Sequence, residues 1–146
     1  MVEIMKTKML MIFFTTSIML FNMASCKSQS QNKSSDEEIM NMIKSFYTGY
    51  ITENVKMPPN GSKIFSLKKK YCTTYLLDKI NNQELDFDPF LKAQDSNIEW
   101  LKTLIIKKDS SKNDFYDVFY TDNNKQIIIK LNVIKENESF KIDSIW

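Results

Sequence analysis

At 146 residues the chain has room for one domain and a targeting segment. All 20 of its basic residues are Lys and it has no His, which excludes Ser-His and Cys-His nucleophile pairs, imidazole metal ligands and guanidinium grips on phosphate. A formal charge of +2 with no basic stripe argues against nucleic acid as a partner, since neutralising phosphates takes clustered cations.

Lys6 and Lys8 precede an apolar run from Met9 to Phe21. Crossing a bilayer takes about 20 apolar residues, so this shorter run reads as the core of a signal peptide. It leads into Met23-Ala24-Ser25-Cys26. One apolar residue, two small ones and a Cys form a lipobox, in which the thiol takes up diacylglycerol after cleavage. The expectation is therefore a signal peptide at 1–25 and a lipidated, palmitate-bearing Cys26 that holds the protein on a membrane of the cell envelope. Lys27, not Asp, follows the Cys, which is similar to lipoproteins forwarded to the outer membrane in a Gram-negative host, on its periplasmic face or at the cell surface. Residues 26–35 are polar without apolar periodicity and are expected to form a flexible tether. Once Cys26 is acylated only Cys72 remains, too few thiols for an intrachain disulfide.

The domain itself is expected over 36–146. Ser35 and Glu38 form a capping box, and Ile39, Ile43, Phe46, Tyr47 and Tyr50 then recur at helical spacing. Met57-Pro58-Pro59-Asn60-Gly61 is a loop. A second helix is predicted from Phe65 to Ile80, with Tyr71, Cys72, Tyr75, Leu76 and Ile80 inward. Lys68, Lys69 and Lys70 fan out around it as a solvated face. The period then changes to two. Strands are predicted at Trp100–Lys107, Phe115–Thr121, Lys125–Lys135 and Ser139–Trp146, with polar hairpin turns at 122–124 and 136–138. Helices followed by an antiparallel meander give an α+β domain, its N-terminal helices packed on a curved sheet in an NTF2-like or cystatin-like cone.

Two groups of residues invite a functional reading. Asp86, Asp88, Gln94 and Asp95 offer hard oxygen donors of the kind Ca²⁺ prefers. Their spacing lacks the Gly turn and terminal Glu of an EF-hand loop, however, so no metal or other cofactor is assigned. The structural alternative makes Asp88 an N-cap, Pro89 the first residue of a short helix and Phe87 and Phe90 its anchors in the core. Tyr47, Tyr50, Tyr71, Tyr75, Trp100, Tyr116 and Tyr120 are expected either to line the mouth of a conical cavity for a small apolar ligand or to pack the core and its rim.

The segment Asp86-Phe87-Asp88-Pro89-Phe90-Leu91-Lys92-Ala93-Gln94-Asp95 follows Tyr47, Tyr50 and the run from Tyr71 to Leu76. It precedes a terminal Phe140–Ile145 strand. Over roughly residues 38–146 this pattern resembles a family of bacterial envelope lipoproteins with an NTF2-like domain of unassigned function. The resemblance implies fold and location but no activity, and no catalytic residue is carried over from it. The leading expectation is a non-enzymatic module that binds an envelope protein or a small ligand. The alternatives are an immunity or inhibitor lipoprotein against an envelope toxin or hydrolase, and an NTF2-like enzyme using Asp acid/base chemistry.

Overall fold

The structure is a computed structural model that describes residues 27–146, with side chains from residue 34 onward. The expected signal peptide and lipobox, with Cys26, lie outside the described residues. No helix among those described is long and apolar enough to cross a membrane.

Helix α1 (Lys27–Asn54) buries Ile39, Ile43, Phe46, Tyr47, Tyr50 and Ile51, one stripe at spacings of three and four. The sequence identifies the first five of these. It places the helix start at Ser35, whereas α1 is already helical from Lys27, so Ser35 is an interior residue and not an N-cap. Residues 27–35 contain no Pro or Gly to stop a helix. Once the buried stripe fixes residues 36–54, each added residue meets only the small cost of propagation.

The long second helix of the sequence reading is two helices, α2 (Gly61–Tyr71) and α3 (Thr74–Asn81). Asn60 caps α2, accepting from the Lys63 N–H at 3.2 Å. The chain extends at Cys72 and Thr73, where the Thr73 N–H donates to the Ile142 carbonyl (2.9 Å) and Cys72 bridges Ile142 in parallel. The Thr73 hydroxyl then accepts from the Leu76 N–H and donates to Asp143, starting α3. A strand contact and a cap, both local to Thr73, override helical periodicity there. As a result Tyr75 points outward, 62% exposed, while Cys72 and Leu76 are buried.

A further difference lies at Trp100. The predicted strand there divides into a single helical turn, α4 (Trp100–Thr103), and the strand β1 (Ile105–Lys108). Asn97 imposes the turn, since its side chain accepts from the Glu99 N–H and its carbonyl from the Trp100 N–H. Strands β2 (Phe115–Asp122), β3 (Lys125–Glu136) and β4 (Ser139–Ile145) complete an antiparallel meander in the order β1-β2-β3-β4. Asn123 and Asn124 both take positive φ, 46° and 64°, the two-residue hairpin geometry that suits strand twist. The inner face of the sheet presents Tyr116, Val118 and Tyr120 of β2, Ile129, Leu131 and Val133 of β3, and Ile142 of β4. These join the α1 stripe in one core. Asp36–Trp146 is one compact unit, and among the described residues every buried core residue lies between Ile39 and Ile142. The chain is α+β.

At the N-terminal border of the unit, Asp36 accepts from Lys108 Nζ (2.8 Å to each oxygen) and from the Tyr116 hydroxyl (3.0 Å). Partial burial acts to raise its pKa, but the hydrogen bonds from Lys108 and Tyr116 outweigh it and hold the carboxyl below its ordinary value. A depressed folded-state pKa gives a contribution that is whole above the ordinary carboxylate range and is lost as the pH falls through the folded value. Urea midpoints of the wild type and Asp36→Asn should therefore differ at neutral pH and converge in acid. A constant difference across that range would show that the pair is not what Asp36 contributes.

Candidate functional site

Five of the seven aromatic residues proposed for a cavity are core. Tyr47, Tyr50, Trp100, Tyr116 and Tyr120 are at most 4% exposed, Tyr71 is half-buried and Tyr75 is exposed. Phe46 is their hub on α1. It stacks on Tyr50 (5.2 Å between ring centres), meets Tyr47 and Phe90 edge-on (both 5.3 Å) and approaches Tyr71 at 5.9 Å. A second stack joins Trp100 to Tyr120 at 4.6 Å. Most of their polar tips have internal partners, which is why the rings need no open cavity. Tyr50 donates to Asp88 Oδ2 (2.5 Å), Tyr120 to the Leu91 carbonyl and the Trp100 indole to Asp122 Oδ1 (3.0 Å). The Tyr47 hydroxyl alone is buried without a hydrogen-bond partner among the described residues. Burial pushes its pKa well above the usual tyrosine value, as it also raises Tyr50.

The Asp86–Asp95 segment folds as a tight turn, not a short helix. Asp88 and Ala93 form an antiparallel bridge, with the Asp88 N–H donating to the Ala93 carbonyl (2.9 Å). Asp88 Oδ1 accepts from the Phe90 N–H at 2.8 Å while Oδ2 receives Tyr50. Asp88 therefore organises a turn, as the structural reading expects, but the turn is closed by Lys92 at a φ of 49°. Phe90 is fully buried; Phe87, expected as a second anchor, is 45% exposed. The four polar residues do not converge. Asp86 is exposed on its own, Asp88 is committed on both oxygens, and Gln94 and Asp95 lie beyond the turn. Among the described residues no group of three or more His, Cys, Asp or Glu is placed to hold a metal ion. Acid/base chemistry would need a buried carboxylate facing a cavity, and none of the three Asp is so placed.

Gln94 and Asp95 instead share a groove with Trp100. With Ala93, Ser96, Asn97, Asp122 and Asn123 they line an open groove of about 420 Å³. The turn after Ala93 forms one wall, the β2–β3 hairpin tip the other, and buried Trp100 the floor between them. Two carboxylates, three carboxamides and a hydroxyl face the space, with no cation. Such a lining disfavours anions and offers many donors and acceptors to a neutral or cationic polar ligand. Asp122 is held by the Trp100 indole, which fixes one side of the groove. The sequence reading missed Ser96, Asn97, Asp122 and Asn123. The last two were legible only as a hairpin turn, since their place beside residues 94–97 depends on strand register and on α4.

Cys72 is the free thiol of the described domain, buried, with its pKa pushed up to about 12 by that burial against the opposing pull of Lys68 and Lys141. A thiol this protonated is a poor nucleophile. Iodoacetamide at neutral pH should leave Cys72 of the native domain unmodified and label it promptly in urea. Prompt labelling of the native protein would contradict the burial.

No family model matches the chain, and no curated protein matches it. Among solved structures, the crystal structure of a protein of unknown function from Bacteroides thetaiotaomicron VPI-5482 is similar, at 26% identity and a TM-score of 0.72. The match covers 80% of this chain and 95% of that one. An experimentally determined structure thus shares the arrangement described above.

Proposed function

We propose that this chain is a lipid-anchored envelope module that binds its target without transforming it, on a domain of NTF2-like shape. The lipobox at Met23–Cys26 supports the anchor. Helices packed on one face of a meander, bent by a bulge between Asn132 and Val133, support the cone. The observation that carries the binding reading is the groove between residues 94–97 and the Asp122-Asn123 turn: it gathers polar side chains around an aromatic floor and holds no activated nucleophile. Its occupant is a small neutral or cationic polar molecule, or a polar loop of an envelope protein.

The test pairs labelling with capture. Cells expressing the wild type or Cys26→Ser are fed radiolabelled palmitate, and each protein is then cross-linked in cells and purified for mass spectrometry. Label on the wild type alone, with a stoichiometric partner or a copurifying small molecule lost from Gln94→Ala/Asp95→Ala, supports both halves. Equal labelling of Cys26→Ser sinks the anchor, and capture unchanged by the groove variant sinks the binding site.

A further inference from the structure

Charge is segregated along the folded chain. Residues 54–77 contain Lys56, Lys63, Lys68, Lys69 and Lys70 and no Asp or Glu, whereas residues 78–99 contain Asp78, Glu84, Asp86, Asp88, Asp95 and Glu99 against Lys79 and Lys92. Glu53, just ahead of the basic stretch, pairs with Lys56 (2.6 Å) and stands 3.8 Å from Lys63, so both of these cations are partly neutralised. Helix α2 lies wholly within the basic stretch. Ile64 and Leu67 pack on the core, and Lys68 reaches over the Tyr50 and Phe90 rings. Lys63, Phe65, Lys69 and Lys70 are left exposed. Phe65 is 59% exposed, and Lys69 Nζ stands 5.2 Å from the centre of its ring. Met57, in the loop that leads to α2, is 98% exposed.

We propose that this face of α2 rests on an anionic phospholipid surface, with Lys69 and Lys70 meeting headgroup phosphates and Phe65 entering the interface. Charge complementarity gives the sign of the partner. The choice of lipid over an acidic protein follows from composition: the centres of protein interfaces are depleted in Lys, whereas helices lying at a bilayer surface combine Lys with Phe or Leu. Lys also suits a diffuse field of phosphates, because it acts as a point charge on a long apolar stem that lies along the interface. The idea rests on the anchored reading in one respect. A tether on Cys26 supplies the high local concentration at which a weak surface contact suffices to orient the domain.

Residues 36–146 form one compact unit that carries every core residue among those described, and they lack both Cys26 and the apolar run, so their vesicle binding is independent of acylation. This fragment should cosediment with vesicles of phosphatidylglycerol and phosphatidylcholine in equal parts and stay in solution with phosphatidylcholine alone. High salt should release it. Lys69→Glu/Lys70→Glu should weaken binding roughly thirtyfold, and Phe65→Ser roughly tenfold. Lys102→Glu/Lys125→Glu/Lys135→Glu should bind as the wild type does. Circular dichroism checks each fold, and the corresponding Lys→Gln set on α2 replaces the Glu set if that fails to fold. A fragment that stays in solution with the mixed vesicles overturns the proposal. So does an α2 variant that pellets like the wild type, or a control set that loses as much binding. Failure of the anchor alone would appear as missing palmitate label with vesicle binding intact.

Discussion

Phe46→Ala is expected to destabilise the domain by about 3–5 kcal/mol, the range for removing a fully buried aromatic ring. Phe46 sits at 0% exposure on α1 and touches the rings of Tyr47, Tyr50, Tyr71 and Phe90, so its loss opens a cavity at the junction of α1, α2 and the Asp88 turn. Domains of this size have about 5–15 kcal/mol in all. The urea midpoint should therefore fall by a large fraction, and the variant should be partly unfolded on modest warming. Phe46→Leu, which keeps most of the volume, should recover more than half of the loss. A Phe46→Ala midpoint close to the wild type would mean that the aromatic cluster is not the centre of the core.

Asp88→Ala is the second large effect. It strips the Phe90 N–H and the Tyr50 hydroxyl of their acceptor in one step. Each buried polar group left unmade costs about 1–3 kcal/mol, so about 2–6 kcal/mol is expected in total. Asp88→Asn should lose less, because its carbonyl still serves Phe90 and its amide can donate to the Tyr50 oxygen. Tyr50 stacks on Phe46 and meets Phe90 at a tilt (5.4 Å), so Phe46→Ala and Asp88→Ala should not be additive in a double-mutant cycle. Equal stability of Asp88→Ala and the wild type would free the Asp86–Asp95 segment from its structural role and reopen it as a site.

Much of this core was legible in the sequence because it is written in periodicity. The stripe from Ile39 to Tyr50 and the alternation through Ile129, Leu131 and Val133 give the inward face of α1 and β3 directly. Where a single side chain redirects the backbone, periodicity misleads. Thr73 breaks one predicted helix into α2 and α3, and Asn97 turns the first residues of a predicted strand into α4. The aromatic residues were legible as important but not as filled space. Whether a Tyr lines a cavity or closes it depends on where its hydroxyl finds an acceptor, and Asp88, Asp36 and Leu91 are 38, 80 and 29 residues from the tyrosines they serve. The groove was the least legible element. It exists only because the β2–β3 hairpin tip comes to lie beside residues 94–97.

The break at Cys72 and Thr73 has a further effect on how copies of this domain behave toward one another. By pairing with Ile142, the extended pair covers the middle of one border of the sheet, along β4. The opposite border, β1, is four residues long and ends in Lys107 and Lys108. Short, lysine-bearing margins recruit foreign strands poorly. The sheet therefore offers little template for copy-upon-copy polymerisation.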